Sequence, residues 1–149
     1  MTLLINSLIV MTTAVLMEGV AYLLHKYVMH GFLWILHEDH HRPTGRGWQK
    51  NDAFSVFFAL LSMLLIIGGS QRQWWPLVSV GIGMAIYGVG YTLFHEIMFH
   101  RRLAKIRYRP RHPYLRRIVR AHREHHRHTG QKDATSFSFL YAPARFKVS

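Results

Sequence analysis

Three long apolar stretches constrain this chain more than any other feature of its sequence. They run from Thr2 to Leu24, from Ala53 to Gly69 and from Pro76 to Phe94. A helix of about 18 residues rises about 27 Å, which approaches the roughly 30 Å hydrocarbon core of a bilayer. Only Ser70 to Trp75 separate the last two stretches, and paired tryptophans suit a membrane interface. The sequence therefore predicts an all-α integral membrane protein with three to four transmembrane helices, two of which form a hairpin.

The length of the chain indicates one domain, because 149 residues are too few for two hydrophobic cores. We expect residues 1–149 to form a single membrane-embedded unit, in which a hairpin at residues 53–94 separates residues 25–41 from residues 95–126. The absence of cysteine excludes disulfides, thiolate metal sites and cysteine nucleophiles. The N-terminus has no basic region before its apolar stretch, so we expect no removable signal peptide.

Lysine and arginine are distributed unevenly among the polar segments. Eighteen of the nineteen lie on one side of the expected membrane, and Arg72 in the hairpin turn is the exception. The positive-inside rule makes that side cytoplasmic, and we expect the protein to lie in a bacterial inner membrane. The basic run from Arg101 to Arg127 follows a span directly, so it indicates contact with anionic membrane lipids rather than with nucleic acid.

Ten of the twelve histidines form a doubled array. One spacing, with four residues between the histidines, occurs on both sides of the hairpin. The other, with two intervening residues and then an adjacent histidine, also occurs twice. The members are His25, His30, His37, His40 and His41 in the first half, and His95, His100, His122, His125 and His126 in the second. His112 and His128 fall outside the pattern, and we expect them to be loop residues.

The spacings suit metal ligation on helices. Positions i, i+3 and i+4 lie within an arc of about 100°, so each triplet can present three imidazoles on one face. Positions i and i+5 lie about 140° apart on a regular helix, so His25 and His30 are expected to serve two different metals. The array therefore predicts a binuclear centre that two similar halves enclose, on the cytoplasmic face, with all ten histidines as metal ligands.

The identity of the metal is less constrained by the residues. Imidazole suits zinc, copper, nickel and iron, but one structural zinc uses only four ligands. Two ions with positions left open account better for ten histidines. Carboxylates beside the ligands either accept hydrogen bonds from imidazole or are exposed helix charges, two equally weighted readings. They are Glu38, Asp39, Asp52, Glu96 and Glu124.

Small residues mark the third stretch. The glycines considered are Gly81, Gly83, Gly88 and Gly90. They allow close approach either of another helix or of an elongated apolar ligand. Helix packing is the first reading of this surface, and the four glycines are also candidates for the floor of a groove that opens to the lipid.

Several segments besides the histidines carry a family resemblance that covers most of the chain. They are Met17-Glu18, the run from His25 to Trp34, Lys50-Asn51-Asp52, His100-Arg101-Arg102, Ala121-His122, Ser136-Phe137 and Phe139-Leu140. With the doubled array, they make the chain resemble the membrane fatty acid hydroxylase superfamily and, within it, the β-carotene hydroxylases. The run through Trp34 is the part that points to carotenoids.

The resemblance implies an oxygen-dependent monooxygenase with two non-haem iron ions. Its substrate would be β-carotene from the lipid phase, hydroxylated at ring carbon 3 to β-cryptoxanthin and then zeaxanthin. The sequence has no dinucleotide fingerprint, so we expect no bound organic cofactor. Electrons would then come from a separate protein, which the resemblance suggests is a ferredoxin or a similar donor.

Other functions remain open at this point. The same superfamily includes fatty acid and sterol hydroxylases, carotenoid ketolases and desaturases. A different class would be a membrane metal-binding protein or transporter without oxidation chemistry. Transport sites usually lie near the bilayer midplane, whereas these histidines occur at the ends of the spans and beyond them.

Overall fold

The computed structural model describes residues 1–43, 45, 47–102 and 108–147. Lys105 and Arg107 of the basic run lie outside the described residues. The described part of the chain is helical and contains no strand. This confirms the expected all-α architecture.

Five α-helices, two π-helices and one short 3-10 helix follow one another along the described residues. Helix α1 spans Thr2–Leu23 and continues into a first π-helix, Leu24–Phe32, which is followed by α2 at Trp34–His41. Helix α3 spans Asp52–Gln71, and α4 spans Trp75–Tyr91 and continues into a second π-helix, Thr92–Phe99. Helix α5 spans Pro113–His125, and the 3-10 helix spans Ala144–Phe146. The first and third apolar helices thus continue beyond the predicted ends of their spans.

Three helices of the described chain are long and apolar enough to cross a membrane. They are Thr2–Phe32, Asp52–Gln71 and Trp75–Phe99. Large apolar side chains on their outer surfaces are exposed, among them Leu3, Phe57 and Val89. A bilayer provides the apolar surroundings that such a surface requires, and the helical backbone satisfies its own hydrogen bonds there.

The turn between α3 and α4 shows why these two helices form a hairpin. Gln73 adopts a left-handed backbone conformation with φ of 52°. Its N–H donates to the Ser70 carbonyl at 3.1 Å, and the Trp74 N–H donates to the Gly69 carbonyl at 2.8 Å. This pair of bonds is a Schellman motif, which ends α3 and reverses the chain. Trp74 and Trp75 are both exposed at this turn, as expected for residues at a membrane interface.

Two glycines of α4 allow the neighbouring helices to approach closely. A Cβ atom at Gly81 would lie 2.7 Å from Ile66 of α3, and one at Gly83 would lie 2.6 Å from Thr13 of α1. The expectation that both residues floor a ligand groove is therefore wrong, because adjacent helices already occupy the space above them. A Cβ atom at Gly88 or Gly90 would meet nothing within 4 Å.

Helix α5 packs against the second π-helix, at the end of the third span. A small core contains Met98 from the π-helix, Ile118 and Val119 from α5, and Ala142 and Phe146 from the residues that follow. The His112 ring accepts a hydrogen bond from the Tyr114 N–H and so caps the start of α5. Burial of this apolar face turns His122 and His125 toward the ends of the spans.

The close approach at Gly83 leads to a stability prediction. Gly83→Ala places a methyl group within 2.7 Å of the Val10 carbonyl oxygen, so α1 and α4 must separate. We expect a loss of about 1–3 kcal/mol, the usual cost of overpacking. Thermal unfolding in detergent measures it, with Gly88→Ala on the same helix as the matched control. Equal unfolding temperatures for the two variants would contradict the described helix contact.

Candidate metal centre

The structure brings nine of the ten motif histidines into two adjacent groups. In each group every histidine offers one ring nitrogen, and these nitrogens all lie within 4.8 Å of one another. Cluster A contains His25, His30, His37, His41 and His125, and cluster B contains His40, His100, His122 and His126. His41 and His126 stack with ring centroids 4.4 Å apart, so the two clusters touch.

His95 belongs to neither of these groups but lies beside cluster B. Its ring centroid is 4.5 Å from that of His100 and 4.8 Å from that of His40. Outside the clusters, His112 caps α5, and His128 contributes its carbonyl oxygen to His41 Nδ1 at 2.9 Å. The histidines outside the doubled array therefore do not contribute an imidazole to either cluster.

Each cluster draws on both halves of the chain. In the triplet on α2, His37 and His41 join cluster A, whereas His40 joins cluster B. In the triplet on and just after α5, His122 and His126 join cluster B, whereas His125 joins cluster A. On a helix the i and i+4 side chains share a face more closely than i and i+3 do. The middle histidine of each triplet therefore crosses to the other cluster.

The π-helices correct the expectation that His25 and His30 serve different metals. Both residues lie in the first π-helix and in cluster A. That expectation assumed a regular α-helix, whereas π-helical hydrogen bonds run from i to i+5. The second π-helix has the same winding, since the His100 N–H donates to the His95 carbonyl at 3.0 Å. Residues five apart then lie almost one above the other.

The separations between ring nitrogens agree with a shared metal. His25 Nε2 lies 3.2 Å from His37 Nε2, and His30 Nε2 lies 3.1 Å from His41 Nε2. In cluster B, His122 Nε2 lies 2.8 Å from His100 Nε2. Two nitrogens at right angles on one ion, each at about 2.1 Å from it, are separated by about 3.0 Å.

Other ring nitrogens of cluster B have no partner of their own. His40 Nε2 and His126 Nε2 are buried, and no hydrogen-bond partner is found for them within the described part of the chain. An unpaired buried nitrogen is costly unless it binds something. The donor set and its spacing therefore fit a pair of transition-metal ions.

Most of the histidine Nδ1 atoms that have a hydrogen-bond partner lie beside an uncharged oxygen atom. In cluster A, four Nδ1 atoms lie 2.9 Å from backbone carbonyls; these are the pairs His25 and Phe137, His30 and Gln131, His41 and His128, and His125 and Thr135. His37 Nδ1 lies 2.6 Å from the Asn51 side-chain oxygen, and His40 Nδ1 lies 3.1 Å from that of Gln49. An oxygen on Nδ1 leaves Nε2 free to bind a metal.

Only one of the five candidate carboxylates touches an imidazole in the described structure. Glu96 Oε1 lies 2.7 Å from His95 Nδ1, and its other oxygen pairs with Arg102. Asp52 pairs with Arg102 as well. The remaining three are Glu38, which pairs with Arg42; Glu124, which pairs with Arg127; and Asp39, which accepts from the Lys50 N–H. Asp52 and these three residues therefore do not accept a hydrogen bond from a histidine ring, which corrects that reading for all four. Their carboxylate oxygens pair with arginine side chains or with a backbone N–H instead.

Two parts of the site were not among the predicted site residues: the side-chain amides before α3 and the carbonyl groups of residues 128–137. Gln49 and Asn51 are buried polar residues just before α3, and Asn51 belongs to the Lys50-Asn51-Asp52 motif. That motif was the available signal for a role at this position. The Ser136-Phe137 motif was the corresponding signal at the Phe137 carbonyl, whereas the carbonyls of residues 128, 131 and 135 had none, because every residue has a carbonyl group.

Burial keeps the imidazoles beyond the spans uncharged. Desolvation lowers the pKa of His37 to about 3 and that of His41 to about 4. It also lowers the pKa of His40, His100 and His122 well below the usual value. Neutral imidazole is the form that binds metal, so these rings are ready to act as ligands at neutral pH.

The crossed arrangement leads to a prediction about metal content. His125→Ala removes from cluster A the only α5 ligand of that cluster in the described chain. We expect the metal-to-protein ratio, measured by elemental analysis of purified protein, to fall by about half. His112→Ala should keep the full ratio, because its ring lies outside both clusters. Full metal content in His125→Ala would contradict its assignment as a ligand.

Comparison with known proteins assigns the chain to a family. The model of the fatty acid hydroxylase family matches residues 10–142. A β-carotene hydroxylase from Pantoea ananas is 46% identical over 96% of this chain and 81% of the relative. The β-carotene hydroxylase from Pseudescherichia vulneris is 42% identical over 94% of the chain and 78% of the relative. The β-carotene hydroxylase from Paracoccus sp. (strain PC1) is 41% identical over 91% of the chain and 83% of the relative.

No solved structure matches the chain. The family match covers both histidine halves and the hairpin between them, so it includes every residue of clusters A and B. The resemblance inferred from the doubled histidine array is thus confirmed, and the chain belongs to the fatty acid hydroxylase family.

Proposed function

We propose that this protein is a membrane monooxygenase that hydroxylates β-carotene at ring carbon 3, yielding β-cryptoxanthin and then zeaxanthin. The observation that carries the proposal is the pair of buried histidine clusters at the ends of two membrane spans. The choice of substrate rests on the relatives, which are named β-carotene hydroxylases at 41–46% identity over more than nine-tenths of this chain.

The proposed cofactor is a pair of non-haem iron ions, with molecular oxygen as co-substrate. Clusters A and B would each hold one ion, and His95 would complete the second set. Bound iron would supply the activation of oxygen and the removal of a hydrogen from the substrate. Nitrogen donors suit iron among several metals, and family membership is what favours iron here.

The chain's own residues orient and enclose this chemistry. Backbone carbonyls and side-chain amides hold the ring of each paired histidine in one orientation, so the free nitrogens converge. Burial of the rings excludes water, which limits side reactions of a reactive oxidant. Since each cluster takes residues from both halves, we treat residues 1–149 as one functional domain.

The proposed route for the substrate is lateral, from the lipid. A C40 polyene is nearly insoluble in water and about as long as a bilayer is thick. Gly88 and Gly90 remain candidates for a groove, because no atom lies within 4 Å of a Cβ built at either position. Both lie within two turns of His95 on the same apolar helix.

The proposed electron donor is a reduced ferredoxin or a similar small acidic protein. The face of α5 that points away from the core carries Arg116, Arg120 and Arg123, all exposed. Such a face would steer an acidic partner toward the histidine clusters beneath it. The same positive charge also suits the anionic lipids of a cytoplasmic leaflet.

The proposed location is a bacterial inner membrane, with the metal centre on the cytoplasmic face. The proposal predicts where reporter fusions are active. A fusion after residue 130 should report the cytoplasm, where a ferredoxin is available, and one in the turn at Trp74 should report the opposite side. An external report at residue 130 would contradict both the location and the cytoplasmic donor.

Product analysis is the direct test of the substrate. Expression in a bacterium that accumulates β-carotene should yield 3-hydroxy and then 3,3′-dihydroxy products, without 4-keto products. His37→Ala, expressed to the same level, is the matched inactive control because it removes a cluster A ligand. If β-carotene stays unchanged while membrane fatty acids gain hydroxyl groups, the carotenoid proposal is wrong and the activity named in the family's description takes its place.

A further inference from the structure

The C-terminal segment, defined here as residues 128–140, covers cluster A. Carbonyl oxygens at residues 128, 131, 135 and 137 face four of its imidazoles. The Phe137 ring contacts three of the same histidines, at centroid distances of 5.2 Å to His30 and to His125 and 5.5 Å to His25. The segment is therefore part of the metal site, and what holds it in place also determines the shape of that site.

A carboxylate in the first span holds this segment. Glu18 Oε1 accepts hydrogen bonds from the N–H groups of Phe139 at 3.0 Å and Leu140 at 2.8 Å. Glu18 Oε2 accepts a hydrogen bond from the Tyr87 hydroxyl at 2.8 Å. An ionisable side chain within a membrane span is expensive to keep there, and it usually marks a functional position. Glu18 belongs to neither histidine cluster, and these three hydrogen bonds join the first span to Tyr87 and to the segment.

The bonds to Glu18 place the Phe139 ring between the two clusters. Phe139 is buried, with 5% of its surface exposed. Its ring lies parallel to His25 of cluster A at 5.5 Å and perpendicular to His95, beside cluster B, at 5.2 Å. It also contacts Tyr91 of α4 at 5.1 Å. One apolar ring thus borders both halves of the centre.

Phe139 lies on the side of the centre from which a lipid-borne substrate would arrive. Glu18 precedes His25 by seven residues, or about two helical turns, and Tyr87 precedes His95 by eight. Both residues are therefore deeper in their spans than the histidines. Phe139, whose N–H donates to Glu18, therefore borders the centre on its membrane side.

We propose that Phe139 is a specificity-determining residue, whose ring forms a wall of the substrate site and contacts the terminal ring of the substrate between the two clusters. Glu18 is the positioning residue that holds the Phe139 ring in place. The inference rests on the proposed function, because it concerns where an apolar substrate stops. A flat aromatic surface in van der Waals contact selects one ring position by shape. A displaced wall would let the substrate bind in several registers.

The first test measures product positions in the β-carotene-accumulating host. Phe139→Ala should retain its metal, lower turnover by about ten- to a hundredfold, and spread oxygenation from carbon 3 to neighbouring ring carbons. Phe139→Leu should show the same trend more weakly. Tyr141→Ala is the matched control, because Tyr141 is an exposed aromatic residue two positions further along the chain.

Variants of Glu18 separate positioning from general structure. Glu18→Ala removes both carboxylate oxygens, and with them all three hydrogen bonds, and should reproduce the product spread of Phe139→Ala. Glu18→Gln keeps one side-chain oxygen that can accept from the two N–H groups, so it should restore the carbon 3 product in large part. A merely structural role would lower the amount of folded protein without changing the ratio of products.

A second readout is independent of catalysis. The chain has no cysteine, so Ser138→Cys introduces a single thiol next to the bonded N–H groups. A water-soluble maleimide should label it about tenfold faster when Glu18→Ala is added, because the segment then opens more often. Adding Glu18→Gln should leave the labelling rate nearly unchanged.

The outcomes distinguish this inference from the proposed function. The unaltered protein in the same host tests the substrate, and any hydroxylated product that it makes, carotenoid or fatty acid, serves for the positional analysis. An unchanged product ratio in Phe139→Ala with full metal content would overturn the specificity-determining role of Phe139. Equal labelling rates with and without Glu18→Ala would overturn the positioning role of Glu18.

Discussion

Imidazoles at residues five apart can serve one metal only if the helix between them is wound more loosely than an α-helix. The π-helices at the ends of the first and third spans meet that requirement, since each contains i to i+5 hydrogen bonds such as the one from His100 to His95. Loose winding is less favourable than regular helix, and it is found mostly at functional sites. Here it aligns His25 with His30 and keeps the spans continuous up to the clusters, so the membrane helices themselves carry candidate metal ligands.

The membrane spans and the number of histidine clusters could both be predicted from the sequence, for different physical reasons. Hydropathy reports burial in lipid directly, so the second and third spans were predicted to within a few residues at the turn between them, whereas the first and third spans end later than predicted, at Phe32 and Phe99. The doubled spacing reports which residues share a face, so a paired centre followed. The sharing of His25 and His30 by one cluster was missed because a π-helix has no reliable signature in composition. The crossing of His40 and His125 was missed because it depends on how α2 and α5 approach each other.

Other parts of the site were beyond prediction for a physical reason. Backbone carbonyls orient most of cluster A, and their positions depend on the path of residues 128–137 rather than on side-chain identity. Glycines carried an ambiguous signal, since a missing side chain serves helix contact at Gly83 and leaves open space at Gly88. The carboxylates left two readings open, because residue type does not show whether an imidazole, an arginine or a backbone N–H lies nearest. In the described part of the chain Glu96 alone among the five joins an imidazole, and it does so while paired with Arg102.

The exchange of His40 and His125 between the clusters has a consequence for how the protein is made. Neither half of the chain contains a complete ligand set, because each borrows one imidazole from the other. During synthesis the first half is made before α5, yet the borrowed imidazole and the covering carbonyls come from α5 and from the residues that follow it. A nascent chain that stops before α5 would therefore offer a metal ion only partial sites. A filled site would then report that α5 and the segment after it have folded back onto the first half of the chain.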